Sequence, residues 1–214
     1  MTDQPKRIAL WGGSFNPPTI AHKALSLFTF NELRLDALYW IVSPHNPEKD
    51  IATLAPFKDR YVMVQQLLHD QPAMIACDIE ETLGSSLTVN TVRVLRKQMP
   101  DNKLFFMMGG DNWLGFHQWA GGAQDILEQV SIIVLNRPGF DAIERAEATR
   151  IFADKRVDHP DKLTSAGSWY VLDNPSFDMS ATQVRHALQE GQETQMIAPE
   201  TLAYIQEHNL YKKP

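Results

Sequence analysis

Residues 8–22 of the chain read IALWGGSFNPPTIAH. The apolar run 8–11 is typical of a buried strand, and the paired glycines after it can take positive φ values and let the backbone approach a ligand closely. Pro17 and Pro18 remove backbone donors and fix φ near the start of the next helix, for which Thr19 is a candidate N-cap. A strand that leads through glycines into a helix N-terminus is how α/β proteins build a phosphate site.

His22 follows Thr19 by three residues and lies in the first turn of the predicted helix. From that position its ring can contact an anion that the helix amides bind. The alternative is an ordinary strand-to-helix loop with an incidental histidine, because short glycine patterns match many unrelated sequences. Residues 8–22 alone leave both interpretations open.

Short apolar runs recur along the chain, and segments with helical periodicity separate most of them. The strand-like runs are residues 8–11, 38–42, 74–77, 104–108, 132–135 and 169–172. The helical segments carry apolar side chains at Leu25, Phe28 and Leu33, at Tyr61, Val64 and Leu68, and at Val89, Val92 and Leu95. This alternation predicts an α/β fold with a Rossmann-like, mainly parallel sheet and helices on both faces.

Glycine-rich and polar residues collect where three of the predicted strands end. These segments are residues 12–15, 43–47 and 109–113. Because ligands of parallel sheets bind outside the carboxyl ends of the strands, we expect the functional site at this edge. The segment 140–168 shows weaker periodicity and is predicted to form a surface helix and loop.

Cysteine and acidic residues give little sign of a metal centre. Cys77 is the only cysteine, which excludes intramolecular disulfides and disfavours a cysteine-based zinc site. Its place in a predicted strand favours a small apolar core residue over a reactive thiol. Asp78, Glu80 and Glu81 lie close together, and we interpret them as a solvated strand end. The sequence contains no G-x-x-x-x-G-K-[ST] motif, which disfavours a P-loop kinase or NTPase.

A second anion-binding signal lies near the end of the chain. Residues 180–183 read SATQ, which fits a capping box with Ser180 as N-cap, and Gly191 is placed to end the helix. Thr182 and Arg185 then fall in the first turn and a half, where the helix dipole favours negative charge. The alternative is a capped surface helix with a solvated arginine.

Composition indicates one domain over residues 1–214, with a helical C-terminal part from about residue 178 packing on it. Hydrophobic residues make up 43% and charged residues 21% of the chain, as is ordinary for a globular protein. The formal charge of −6 disfavours a nucleic-acid surface, which normally needs a clustered basic face. The sequence has no apolar run near the roughly 18 residues of a membrane span, and residues 1–7 lack the apolar core of a signal peptide. We therefore expect a cytoplasmic protein that binds neither nucleic acid nor membranes, with a homo-oligomer left open.

Motifs at both ends of the chain resemble those of a known superfamily. Residues 12–17 (GGSFNP), 19–22 (TIAH) and 180–185 (SATQVR) resemble the GG-T/S-F-x-P strand end, the H/T-x-G-H turn and the late S-S/T-x-x-R helix cap of the nucleotidyltransferases. Further matches are NPEK at 46–49, Arg60, LTVNT at 87–91, MGGDN at 108–112, FHQW at 116–119 and NRPG at 136–139. Within the superfamily, the chain is similar to bacterial nicotinate mononucleotide adenylyltransferases.

Three positions depart from the usual pattern of that family. Thr19 and Ala21 stand where H-x-G-H has histidine and glycine, and Asn16 stands where aspartate is more usual. Threonine at the first position is the usual form in pantetheine-phosphate adenylyltransferases. The changes remove one imidazole donor and one negative charge from the expected triphosphate site.

The resemblance implies transfer of AMP from ATP to nicotinate mononucleotide, giving deamido-NAD and pyrophosphate. It assigns catalytic roles to His22, Arg185 and Thr19. It assigns ATP binding to Gly12, Gly13, Ser14, Phe15, His22, Gly109, Asp111, Ser180, Thr182 and Arg185. It assigns mononucleotide binding to His45, Asn46, Lys49, Thr88, Trp119 and Arg137. Mg²⁺ is expected on the phosphates and water, with no protein metal site.

Several alternatives stay open from the sequence. Trp119 can be a simple core residue rather than a stacking face for the pyridine ring, and Arg137 can be a solvated loop residue. Nicotinamide mononucleotide or phosphopantetheine can replace nicotinate mononucleotide as acceptor. The departures at Thr19 and Ala21 also allow a nucleotide-binding protein that kept the fold and lost the reaction.

Overall fold

One parallel sheet organises the chain. The computed structural model describes residues 4–44, 54–136, 139–175, 181–192 and 194–212. Within these ranges the strands are β1 (Arg7–Gly13), β2 (Ala37–Val42), β3 (Met74–Cys77), β4 (Lys103–Gly109), β5 (Ser131–Asn136) and β6 (Trp169–Asp173). Each predicted run lies inside an observed strand, and all neighbouring strands are parallel in the order β3-β2-β1-β4-β5-β6.

Helices connect the strands and follow the last one. They are α1 (Ile20–Glu32), α2 (Phe57–Leu67), α3 (Ile79–Leu83), α4 (Thr88–Gln98), α5 (Gly110–Gly115), α6 (Ala123–Gln129), α7 (Ala142–Arg145), α8 (Glu147–Ile151), α9 (Ala181–Gln189) and α10 (Pro199–Glu207). Short 3-10 turns lie at Phe116–Gln118, Ala153–Lys155 and Pro160–Lys162. No helix in the described ranges is both long enough and apolar enough to cross a membrane.

The two faces of the sheet carry separate apolar cores, because successive side chains of a strand point to opposite sides. On β1, Ile8 and Leu10 belong to the core under α4, α5 and α6. Ala9 belongs to the core on the other face, which α1 and α2 cover. The predicted Rossmann-like sheet with helices on both faces is therefore confirmed.

The segment between β5 and β6 differs from the prediction of a surface helix and loop. Ile143, Phe152 and Leu163 are buried. Phe152 packs near Trp113 and also accepts, through its carbonyl oxygen, a 2.7 Å hydrogen bond from the indole of Trp169. The weak periodicity arose because α7 and α8 are each shorter than the stretch over which a helical pattern can be detected.

The C-terminal helices pack on α2 rather than directly on the sheet. Val184 of α9, Ile205 of α10 and Met63 of α2 share one apolar cluster. Gly191 ends α9 as predicted: it adopts a φ of 66°, and its amide bonds to the carbonyl of Leu188. This packing places the start of α9 near the carboxyl end of β1. The same strand end contacts α2, because Arg60 of α2 donates to the carbonyl oxygen of Ser14.

Candidate active site

The strand order reverses between β1 and β4, and both strands end in glycine. The register pairs Trp11 of β1 with Met107 of β4, so Gly13 and Gly109 end the two strands at the same level. The chain leaves these strands toward opposite faces of the sheet, as the two cores show. Such a reversal opens a crevice at the carboxyl edge, where doubly wound proteins bind their ligands.

The carboxylate of Asp111 lies against the glycine at the end of β4. A Cβ atom on Gly109 would lie 2.4 Å from Oδ1 of Asp111, which is too close for any real contact. Asp111 is exposed in the first turn of α5, so its carboxylate lies over the backbone of Gly109 at the crevice. The expectation that these two residues act together is consistent with this geometry.

The loop after β1 contains an aromatic residue with an unusual backbone conformation. Phe15 has a φ of 43°, in the left-handed region that non-glycine residues rarely adopt. Its ring is buried, stacks on Trp40 with centroids 4.7 Å apart, and lies 3.1 Å from the position that a Cβ of Gly13 would take. The anchored ring holds the strained turn, and strain of this kind is concentrated at ligand sites.

Arg60 ties together the ends of the first two strands. Its Nη1 donates to the carbonyl oxygens of Ser14 at 2.7 Å and Ser43 at 2.8 Å. Further bonds go to the carbonyls of Ala55 and Pro44. The side chain has no exposed surface, and burial lowers the pKa of the guanidinium. The arginine therefore fixes the shape of the loop behind the crevice.

Thr19 and His22 form a reciprocal cap at the start of α1, which confirms Thr19 as N-cap. The Thr19 hydroxyl oxygen accepts from the His22 amide at 3.3 Å. In return, Nδ1 of His22 accepts from the Thr19 amide at 3.0 Å and lies 2.6 Å from the Thr19 hydroxyl oxygen. Thr19 is fully buried and its hydroxyl is used inside the cap, while its role in catalysis stays a prediction.

Three aromatic rings surround the imidazole of His22. The ring centroids of Phe15, Trp11 and Trp40 lie 5.5, 5.6 and 6.1 Å from that of His22. None of these rings is coplanar with the imidazole, since the interplanar angles are 47° for Trp11, 72° for Phe15 and 62° for Trp40. His22 is therefore held in one position by packing as well as by the cap.

Arg185 connects the two motifs that lie at opposite ends of the sequence. From α9, its Nη1 donates to the carbonyl oxygen of Asn16 at 2.8 Å, across 169 positions of the chain. Its Nη2 donates to the hydroxyl oxygen of Thr182 at 3.2 Å. The arginine is half-buried and Thr182 is exposed. The loop after β1 and the first turns of α9 are thus brought to one place.

Asn16 also accepts a hydrogen bond from the C-terminal segment, and this contact was not predicted from the sequence. Its Oδ1 accepts from the amide of Ala55 at 3.0 Å and from the hydroxyl of Tyr211 at 2.8 Å. Tyr211 has a φ of 60°, and burial raises the pKa of its phenol. The sequence carries no local signal for this contact, because its partners lie 195 residues apart.

The prediction of a solvated acidic strand end is wrong for Glu80. Asp78 and Glu81 are exposed, as expected for a solvated strand end, but Glu80 is buried. Its carboxylate accepts from the hydroxyls of Ser43 at 2.7 Å and Thr91 at 3.2 Å. Burial raises its pKa, against the opposite effect of these hydrogen bonds. Glu80 links the end of β2 to α4.

Thr88 and Trp119 occupy neighbouring segments on the other side of the crevice. Thr88 is the first residue of α4 and is half-buried. A Cβ on Gly121, which has a φ of 89°, would lie 2.3 Å from Cγ1 of Val89, so the turn after Trp119 lies against the first turn of α4. Trp119 is half-buried and meets the rings of Phe106 and Phe116 at steep angles. One part of the indole therefore packs on the core.

Cys77, predicted as a small core residue, is half-buried against the core, and burial raises the pKa of its thiol.

Five predicted site residues lie outside the described residues, and their roles stay predictions. They are His45, Asn46, Lys49, Arg137 and Ser180.

Comparisons with known proteins identify the family of the chain. A sequence model of the cytidylyltransferase-like family matches residues 10–187. A "Probable nicotinate-nucleotide adenylyltransferase" from Bradyrhizobium sp. (strain ORS 278) is 36% identical over 186 residues, which are 84% of this chain and 95% of the relative. A protein of the same name from Salinibacter ruber (strain DSM 13855 / M31) is 33% identical and covers 96% of this chain and 97% of its own.

Solved structures share the fold. Plasmodium falciparum nicotinic acid mononucleotide adenylyltransferase complexed with NaAD gives a TM-score of 0.73 over 96% of this chain and 97% of that chain, at 18% identity. The same protein complexed with APC gives 0.72 over the same shares. At this identity the likeness supports the fold alone. With the family match over most of its length and relatives above 30% identity, the chain belongs to the cytidylyltransferase-like family and to its nicotinate-nucleotide adenylyltransferases.

Proposed function

We propose that the chain transfers AMP from ATP to nicotinate mononucleotide, giving deamido-NAD and pyrophosphate. The observation that carries the proposal is the 2.8 Å hydrogen bond from Arg185 to the carbonyl oxygen of Asn16. It joins the start of α9 to the glycine loop before His22, so that two anion-binding motifs serve one site. The family of the chain supports the same activity.

The reaction needs no nucleophile from the protein. A phosphate oxygen of the mononucleotide attacks the α-phosphorus of ATP, and the bond from that phosphorus to the bridging oxygen of the β-phosphate breaks. The electron pair leaves with pyrophosphate. Catalysis then consists of aligning the two substrates and stabilising the negative charge that moves toward the leaving group.

The triphosphate is assigned to the two helix starts. Gly12 and Gly13 let the backbone come close, and the amides of Ser14 and Phe15 with the ring of His22 supply donors. Thr182 and Arg185, with Ser180, supply donors from α9. Arg185 is held by Asn16 and Thr182, so its planar guanidinium is oriented before the nucleotide binds. Gly109 and Asp111 are assigned to the ribose of ATP. The exposed carboxylate of Asp111 can accept a hydrogen bond from a ribose hydroxyl.

The mononucleotide is assigned to the side of the crevice formed by α4 and the turn after Phe116–Gln118. Thr88 and Trp119 would contact the pyridine ring, with the indole as a flat stacking face. His45, Asn46, Lys49 and Arg137 would hold its phosphate. Glu80 supports this side because it connects the end of β2 to α4.

Mg²⁺ is proposed to enter with ATP. Within the described residues there is no group of three or more His, Cys, Asp or Glu side chains that could cage a metal ion. The proposed ion is held mainly by phosphate oxygens and water, which is a common arrangement for Mg²⁺. Bound there, the ion would neutralise part of the triphosphate charge.

Steady-state pyrophosphate release from Mg²⁺-ATP tests the proposal when nicotinate mononucleotide, nicotinamide mononucleotide and phosphopantetheine are compared as acceptors. We expect the highest kcat/KM with nicotinate mononucleotide. A higher value with either other acceptor would replace the assigned substrate. Tight ATP binding without pyrophosphate release for any acceptor would show a binding protein that lost the reaction.

A further inference from the structure

We propose that Thr19 is a positioning residue that fixes His22 as a neutral imidazole with its proton on Nε2. Thr19 then acts on the reaction through His22, without contacting phosphate itself. The consequence for turnover rests on the proposed function. The protonation state of the ring does not, and it can be measured without substrate.

Two donors of Thr19 converge on one nitrogen of the imidazole. The amide N–H of Thr19 donates to Nδ1 across 3.0 Å. The hydroxyl oxygen lies 2.6 Å from the same Nδ1. A backbone amide can only donate, so Nδ1 must accept. In a neutral imidazole the other nitrogen, Nε2, then carries the proton and is the donor.

The hydroxyl group supports the same assignment. Its oxygen accepts from the His22 amide at 3.3 Å, and its proton is available to donate to Nδ1 at the same time. A separation of 2.6 Å fits an O–H pointing at Nδ1. Thr19 is fully buried, which keeps water from competing for that proton.

The competing protonation states conflict with both donors of Thr19. A proton on Nδ1 would face the Thr19 amide proton, and the Thr19 hydroxyl would lose the nitrogen that accepts its own proton. The imidazolium carries the same Nδ1 proton and meets the same conflict. Turning the ring over is opposed by the rings of Trp11, Phe15 and Trp40, whose centroids all lie within 6.1 Å of the imidazole centroid.

This inference gives a physical role to the unusual first residue of the T-x-A-H turn. A neutral Nε2–H donor oriented before ATP binds needs no reorganisation as charge develops on the phosphates. Threonine can supply this control because it is small enough to be buried in the cap while keeping one hydroxyl. The role assigned to Thr19 therefore differs from that of a second phosphate-binding side chain.

The protonation state can be read from long-range ¹H–¹⁵N correlation spectra of the imidazole, recorded without ligand at a pH above the measured titration midpoint of the ring. We expect the unmodified chain and Thr19→Ser to show the Nε2–H form. Thr19→Val keeps the amide donor but loses the hydroxyl donor, so it should show a larger Nδ1–H share. Thr29→Val is the matched control, because Thr29 is buried on α1 and its hydroxyl has no partner in the described part of the chain. It should leave the His22 signals unchanged.

An Nδ1–H form in the unmodified chain overturns the inference, and this arm needs no variant to fold. An unchanged ratio of the two forms in folded Thr19→Val also overturns it.

Kinetics with Mg²⁺-ATP and nicotinate mononucleotide form the second arm. We expect Thr19→Val to lower kcat on the order of tenfold, as loss of an orienting partner typically does, with little change in KM for ATP. Thr19→Ser should restore most of the rate. A higher KM for ATP at unchanged kcat would instead indicate direct phosphate binding by Thr19. Absence of transfer in the unmodified chain would contradict the proposed function while leaving the spectroscopic result intact.

Discussion

Asn16 shows how a single residue can serve both the shape of the loop and the chemistry of the site. Its carbonyl oxygen orients Arg185, while its side-chain oxygen accepts from Ala55 and Tyr211. A neutral amide oxygen accepts from these donors without placing a negative charge beside the proposed triphosphate site. The residue is nearly fully buried, so an aspartate there would also have to overcome the desolvation of its charge.

His22→Ala tests the residue that the cap and the aromatic rings position. We expect kcat to fall on the order of 100-fold or more, because a donor aimed at developing charge is lost, with a smaller effect on ATP affinity. Steady-state rates and ATP titration measure the two effects. His69→Ala, an exposed histidine after α2, is the control. Near-normal turnover of His22→Ala would remove the imidazole from the mechanism.

Arg185→Lys tests the contact between the two motifs. Lysine cannot reach both Asn16 and Thr182 while offering donors to phosphate, so we expect kcat/KM for ATP to fall by about tenfold or more. Arg150→Lys makes the same change at an exposed arginine on α8 and should have no such effect. Equal rates for the two variants would favour the interpretation of α9 as a capped surface helix.

At the scale of elements, the strands and the capped start of α1 could be predicted because their signals are local. Thr19 and His22 are three residues apart, and each strand is a short apolar run. Glu80 could not be predicted, since its burial depends on Ser43 and Thr91 from two other elements. Helices α7 and α8 could not be predicted either, because each is too short to show a helical repeat of apolar residues.

Glu80 should make stability depend on pH. The pKa of Glu80 is raised in the folded state above an ordinary value of 4.5. The folded chain therefore binds a proton at this carboxylate more tightly than the unfolded chain does. Its contribution to the free energy of unfolding therefore decreases as pH rises from about 4.5 into the raised range. Urea unfolding at a series of pH values measures this decrease.

Glu80→Gln should remove that part of the pH dependence, because glutamine does not titrate. Glu81→Gln, at the exposed neighbouring position, should keep it. Parallel pH profiles for the unmodified chain and Glu80→Gln would contradict the link between burial and the raised pKa.

At the scale of the whole molecule, the functional edge is assembled from segments that are far apart in sequence. The reversal of strand order at β1 and β4 could be expected from an α/β pattern, and it places Gly13 beside Gly109. The approach of Tyr211 to Asn16 depends on how α9 and α10 pack on α2. No local pattern contains that information, so the sequence could indicate a C-terminal helical part but not its contact with the loop.

Tyr211→Phe tests whether the C-terminal segment supports the site. We expect the free energy of unfolding to fall by about 1 kcal/mol, the usual effect of losing one hydrogen bond, and kcat/KM for ATP to fall severalfold because Asn16 also orients Arg185. Tyr204→Phe removes a hydroxyl that bonds to Asp59 at 2.9 Å, so it should affect stability but not kcat/KM for ATP. Equal kinetic effects of both variants would show that the segment acts only on stability.

The fate of the α-phosphorus of ATP tests the central claim most directly. The purified chain is incubated with Mg²⁺, nicotinate mononucleotide and ATP labelled at either the α- or the γ-phosphate. We expect the α-label to appear in deamido-NAD and the γ-label in pyrophosphate, in equal amounts. An α-label that stays in ATP, or that is released as AMP without forming a dinucleotide, would contradict it.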